Sequence, residues 1–274
     1  MGKSMNRLNS CLFPLYKRKG RERNMHSFVA GTRNEWSKLA ARKKMLFSLL
    51  LLVLLPVASA VLLSQLQSGI GIAAVSSADF PVLMLSIYTN FVIPLFTFMA
   101  AADLFAGEIQ DRTLKLTLLR PVSRFVVFGS KIAALGLYSL VSLVIGCAVS
   151  VLSGLLLNSR GDWGTGLLQA LEAYSVAFIP MFTLVVLAVL LTQLFRSASG
   201  ALMVSVFVYA GLKLFGVFYP QYAAYSPTYY TDWHQLWLNG AVPASKILNA
   251  TTYLTASCIL CFTAAFAMFD RREI

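Results

Sequence analysis

The chain has 274 residues, of which 58% are hydrophobic and 12% charged, with a formal net charge of +12. Soluble domains carry about 25% charged residues, so this composition, with a mean hydropathy of +0.71, excludes an ordinary soluble enzyme. It is the composition of a membrane protein.

Taken in chain order, residues 1–24 are polar and basic without a sustained apolar period, which predicts a disordered tail. No apolar signal-peptide core precedes Arg33, and Met25 is a second candidate start. Residues 25–274 read as one transmembrane domain. Within FVAGTRNEWSKLAARKK, Phe28, Val29, Thr32, Trp36, Leu39 and Ala40 share one face of a helix that Ser27 can cap. Such a helix is expected to lie along the inner membrane surface.

About 20 apolar residues cross a hydrocarbon core of about 30 Å as a helix, and six windows meet that length: 45–63, 81–101, 126–153, 172–194, 199–219 and 247–269. They are too long for barrel strands. Pro56, Pro94 and Pro180 fall inside three of them, which a bilayer tolerates where neighbouring groups satisfy the freed carbonyls. Basic residues crowd the N-terminal region, the loop after the second window, the turn at Arg196 and the tail at Arg271 and Arg272. Cytoplasmic flanks are the basic ones, so both termini are expected in the cytoplasm. Anionic lipid accounts for the positive balance, and no nucleic-acid partner is needed.

The middles of the windows hold no ionisable residue, which disfavours a proton-coupled carrier. The chain has two histidines, His26 and His234, and no H-E-x-x-H pattern, so a zinc protease is unsupported. Cys258 and Cys261, three apart on an apolar helix, read as packing rather than redox or metal chemistry. No metal site is expected. Gly2-Lys3-Ser4 lacks the upstream glycine of a phosphate-binding loop.

One stretch stands out against its apolar flanks: GEIQDRTLKLTLLRPVSRF, residues 107–125. Glu108, Asp111, Arg112 and Lys115 fall on one side of a helix as acid-before-base pairs, with Ala106, Ile109, Thr113 and Leu116 opposite. Pro121 ends it, since Arg120 is biased away from helical geometry. On physics alone the stretch is equally a solvated loop that holds the topology or a surface for a partner. Elsewhere, Tyr88, Asn90 and Thr97 are the polar candidates for a pathway lining, Asn90 being equally compatible with an interhelical hydrogen bond. Ser142, Gly146, Ser150 and Gly154 form a strip of small residues that admits a close helix neighbour. The Tyr- and Trp-rich segment 219–240 reads as an interfacial cap, with an aromatic gate as the sharper alternative.

The pattern Gly107-Glu108, Thr113-Leu114-Lys115, Leu118, Arg120-Pro121-Val122-Ser123-Arg124 and then Lys131 resembles the signature of ABC-2 type permeases, membrane subunits of bacterial ABC exporters. The Asn34-Glu35-Trp36 helix, the six windows and the tail from Phe269 to Ile274 agree with it, and Arg112 departs from the family's usual glycine. The resemblance implies an all-α membrane protein with six transmembrane helices, an N-terminal interfacial helix and a coupling helix between helices 2 and 3. It further implies that Glu108, Asp111, Arg112, Thr113, Leu114, Lys115, Arg120, Pro121 and Arg124 meet a separate ABC ATPase subunit. ATP and Mg would be bound by that partner, this chain holding no cofactor, and a second permease copy or paralogue would complete the pathway. The competing expectation is a membrane scaffold or sensor that anchors a cytoplasmic partner.

Overall fold

The computed structural model describes residues 25–70, 76–111, 123–157, 163–238 and 243–271. Among them are helices, short helical turns and connecting turns, with no strand. A first helix, α1, covers residues 25–40. It is followed by α2 (Lys43–Ile70), α3 (Phe80–Gln110), α4 (Arg124–Gly154), α5 (Trp163–Thr192), α6 (Ala198–Phe218) and α7 (Ala244–Asp270). The helices from α2 to α7 are long and apolar enough to cross a membrane. Among the described residues there are therefore six candidate spans, running alternately, with α1 at the end where α2 starts.

The apolar windows find every span and misjudge three of their ends, the first of them in α2, which runs to Ile70 rather than 63. Span four starts at Trp163 rather than 172, because WGTGLLQALE, polar enough to dilute a window, still continues the helix. Span two runs on to Gln110 instead of stopping near Ala101. The beginning of the charged stretch is thus a continuation of α3. Residues 112–122, which carry Arg112, Thr113, Leu114, Lys115, Arg120 and Pro121, lie outside the described residues, as does the tail 1–24.

Two wide π-turns interrupt α3, at Tyr88–Val92 and Asp103–Gly107. Such bulges alter which side chains face inward without ending the helix, and they recur at functional sites. The first precedes Pro94. Proline removes the N–H that would bond the carbonyl four residues back, which here belongs to Asn90, and the Tyr209 hydroxyl of α6 donates to that oxygen at 2.8 Å. In α2, Pro56 frees the Leu52 carbonyl, which accepts from the Tyr88 hydroxyl at 2.7 Å. In α5, Pro180 frees Val176, which accepts from the Trp233 indole N–H at 3.0 Å. Each vacated carbonyl is met by an aromatic donor from another element.

Helix α5 is the centre of the bundle, packed against α3, α4 and α7. The small-residue strip of α4 is what lets its neighbours in. A methyl group on Gly146 would lie 2.9 Å from the Tyr88 ring, and one on Gly154 would lie 3.1 Å from the Ser77 carbonyl. Ser150 meets the Tyr174 hydroxyl at 3.0 Å, and the Ser142 hydroxyl donates to its own helix at Tyr138 O. The strip is filled by this chain's own α3 and α5.

The segment after α6 does not simply float at an interface. Its tyrosines Tyr222, Tyr225 and Tyr229 are exposed, but Thr228, Thr231, Trp233 and His234 are buried. Turns at Pro227–Asp232 and His234–Leu238 fold back against α5 and the first third of α3.

Candidate functional site: a closed ring of charges

At the end of the bundle that carries α1, four ionisable side chains alternate in sign around a closed ring. Glu35 of α1 accepts from Lys131 of α4 at 3.2 Å, and Lys131 reaches Glu108 of α3 at 2.7 Å. Glu108 meets Lys38 of α1 at 3.2 Å, and Lys38 closes the ring on Glu35 at 2.8 Å. Two carboxylates face two ammonium groups, so the ring is neutral.

Burial makes this arrangement consequential. Lys131 is 0% exposed, Glu35 4% and Glu108 7%. Lys131 also donates to the Leu104 carbonyl at 3.2 Å, and its ammonium lies 5.7 Å from the centre of the Phe105 ring, within reach of a cation–π contact. Beneath it, Phe105, Phe128 and Phe269 pack with ring centres 5.3 to 6.3 Å apart and keep water out. In such surroundings an unpaired charge is costly. Burial pushes the Glu35 carboxyl up, but Lys131 and Lys38 outweigh it and hold the group below its usual range. Burial likewise pulls Lys38 down, and Glu35 and Glu108 outweigh it, leaving Lys38 above its usual range.

Local structure sets the ring. Glu35 and Lys38 are three apart and so share a face of α1. The second π-turn of α3, Asp103–Gly107, ends at Glu108 and turns it to the interior. This corrects the expectation that Glu108 belongs to an exposed charged face with Asp111. Asp111 is exposed, whereas Glu108 is enclosed by Lys131 and Lys38. The wide turn precedes both residues and rotates Glu108 relative to the helix before it, while Asp111 stands just past the end of the helix at Gln110.

Neighbouring pairs extend the fastening. Asp103, also buried, is held by Arg42 at 2.9 Å and Lys44 at 3.5 Å, which ties the α1–α2 junction to α3. Arg124, at the start of α4, donates to the Asp270 carbonyl at the end of α7 and lies 3.8 Å from its carboxylate. A cation at a helix C-terminus is also favoured by the helix dipole. Arg124 is therefore engaged within the chain, although about half exposed.

The remaining sequence candidates lie far from this end. Asn90, in the first π-turn, accepts from Lys213 and from Thr231 and donates to Asp232 at 2.7 Å. Thr97 is buried, with no hydrogen-bond partner for its hydroxyl among the described residues. Neither is joined to the charge ring.

The sequence assigns no site role to Glu35, Lys38, Asp103 or Arg42, although Glu35 and Lys38 lie in the helix that supports the family resemblance. The signal that could have found them is Lys131. It follows five apolar or small residues inside a membrane window, where a lysine needs an anion, and Glu35, Glu108 and Asp103 are among the few acids near that end.

Six apolar helices with their buried charges gathered at one end define a multi-pass membrane protein. The family model for ABC-2 family transporter proteins matches residues 32–213, well over half of the chain, and the chain belongs to that family. It is a membrane permease component, a transport subunit without catalysis of its own, of a kind that functions with ABC ATPase subunits. The match spans all four members of the charge ring. No curated protein matches the chain. Among the described residues no group of histidines, cysteines and carboxylates could hold a metal ion.

Proposed function

We propose that this chain is the permease subunit of an ATP-driven exporter in the cytoplasmic membrane, with both termini cytoplasmic. A separate ABC ATPase subunit docks on the segment between α3 and α4, and a second permease copy or paralogue completes the pathway. The observation that carries this reading is the position of the charge ring. It locks α1 to the end of α3 and the start of α4, the two helices that bracket residues 112–122. A push delivered there by a closing ATPase would be passed to three helices at once, as in a rigid-body transition. Asp111, exposed at the edge of that segment, offers a charge to the partner.

The test compares Asp111→Lys with Asp79→Lys, an exposed acid at the start of α3 on the opposite end. Losing one member of an interfacial charge pair costs about 2–5 kcal/mol. At equal membrane expression, Asp111→Lys should co-purify markedly less ATPase, and Asp79→Lys should match the wild type. Equal ATPase recovery from both variants would place the docking elsewhere, or leave the chain an anchor without an ATPase.

A further inference from the structure

At the end of the bundle opposite the charge ring, a recess of about 380 Å³ opens between α6 and the segment that folds back after it. Its wall carries one cation and one anion, Lys213 and Asp232, beside Ser226, Thr228 and Gln235. No direct ion pair joins the two charges. Lys213 donates to the Asn90 side-chain oxygen and to the Thr231 hydroxyl, both neutral. Asp232 accepts at 2.7 Å from the Asn90 amide, also neutral. Asn90 is thus a spacer that holds a positive and a negative group apart while satisfying part of each.

The spacer is itself fixed. The π-turn presents Asn90, its backbone carbonyl is taken by Tyr209, and its amide nitrogen also donates to Ser86 O at 2.8 Å. On the other side the Trp233 indole pins the folded-back segment to α5. A separated pair of unlike charges held this firmly in partly apolar surroundings matches a ligand with the same two charges in the reverse order.

The other wall of the recess is apolar, with Leu212, Val217 and Leu236. It continues onto an exposed belt of Leu214, Phe215, Val217 and Phe218 on α6. Lys213 stands five residues before the end of α6, or about 8 Å at 1.5 Å per residue, which is headgroup depth for a spanning helix. We propose that the recess binds a zwitterionic phospholipid. Its phosphate pairs with Lys213, its primary ammonium pairs with Asp232, and its acyl chains lie along the α6 belt.

The purified chain, in detergent with mixed phosphatidylethanolamine and phosphatidylglycerol, is examined by native mass spectrometry. The wild type should retain phosphatidylethanolamine over phosphatidylglycerol by at least about tenfold, the ratio that 1.4 kcal/mol of differential charge pairing supplies. Asp232→Asn can still accept from Asn90 and so keeps the spacer, and it should lose the preference while still binding lipid. Lys213→Met should retain neither lipid, and Tyr225→Ala, exposed outside the recess, should behave as the wild type. The inference is overturned if the wild type does not discriminate between the lipids, or if Asp232→Asn keeps the full preference. Free phosphoethanolamine that displaces the lipid at comparable concentration would also overturn it, by showing a headgroup site with no use for acyl chains.

Discussion

At the residue scale, the three intramembrane prolines show how much of this bundle depends on single donors. The Tyr88 side chain is fully buried, and its hydroxyl is there to meet the Leu52 carbonyl that Pro56 leaves free. Tyr88→Phe keeps the ring and removes the donor, so it should destabilise the chain by about 1–3 kcal/mol, the cost of a buried acceptor without a partner. In a Pro56→Ala background the helix regains its own N–H, and the same change should cost only a fraction of that. Unfolding in detergent, run as a double-mutant cycle, measures the difference. Equal costs in both backgrounds would mean that the Tyr88 hydroxyl serves something other than the proline. The prolines and the need for donors were legible in the sequence. Which aromatic serves which proline was not, because Tyr88 and Leu52, or Trp233 and Val176, are far apart in the chain and meet only through packing.

At the element scale, α1 is the part whose attachment rests most on charge. Its helical pattern was plain in the sequence, and Leu39 is indeed buried, although Val29 on the same expected face is exposed. The ion-pair ring fastens the helix alongside the core contacts of Leu39 and Trp36, and the pH dependence of the fastening follows from the two members on α1. Glu35 titrates below its ordinary value of 4.5, so its contribution is complete above that value and is lost as pH falls through the lower folded one. Lys38 titrates above its ordinary value of 10.5, so its contribution is complete below that value and is lost as pH rises through the higher folded one. Attachment should therefore be constant between those limits and fail beyond them. A fluorophore at exposed Arg33 should keep a constant anisotropy across that window and become more mobile in acid. Release of α1 within the neutral range would contradict a fastening by these two groups.

At the scale of the whole molecule, six spans and their alternation were readable because hydropathy and helix length together leave few options. The π-turns of α3 were not, since no residue pattern in YTNFV or DLFAG distinguishes a wide turn from an ordinary one. That single ambiguity is why Glu108 was expected outside and is found inside. By presenting Glu108 to Lys131 and Lys38 the same turn links three helices through the ring, and the consequence to be tested is that α1, the end of α3 and the start of α4 move together. The direct measurement is the distance between spin labels at Arg33 and Gln110, both exposed, taken in the purified permease–ATPase complex with labelled chain diluted into unlabelled, without nucleotide and with ATP trapped. Lys131→Met, which removes the fully buried one of the two cations that Glu35 and Glu108 share and leaves them only the half-exposed Lys38, serves as the broken joint. One narrow distance is expected in both nucleotide states of the wild type, and a broad distribution in Lys131→Met. A wild-type distance that changes with nucleotide, or a Lys131→Met distribution as narrow as the wild type, would contradict that joint movement.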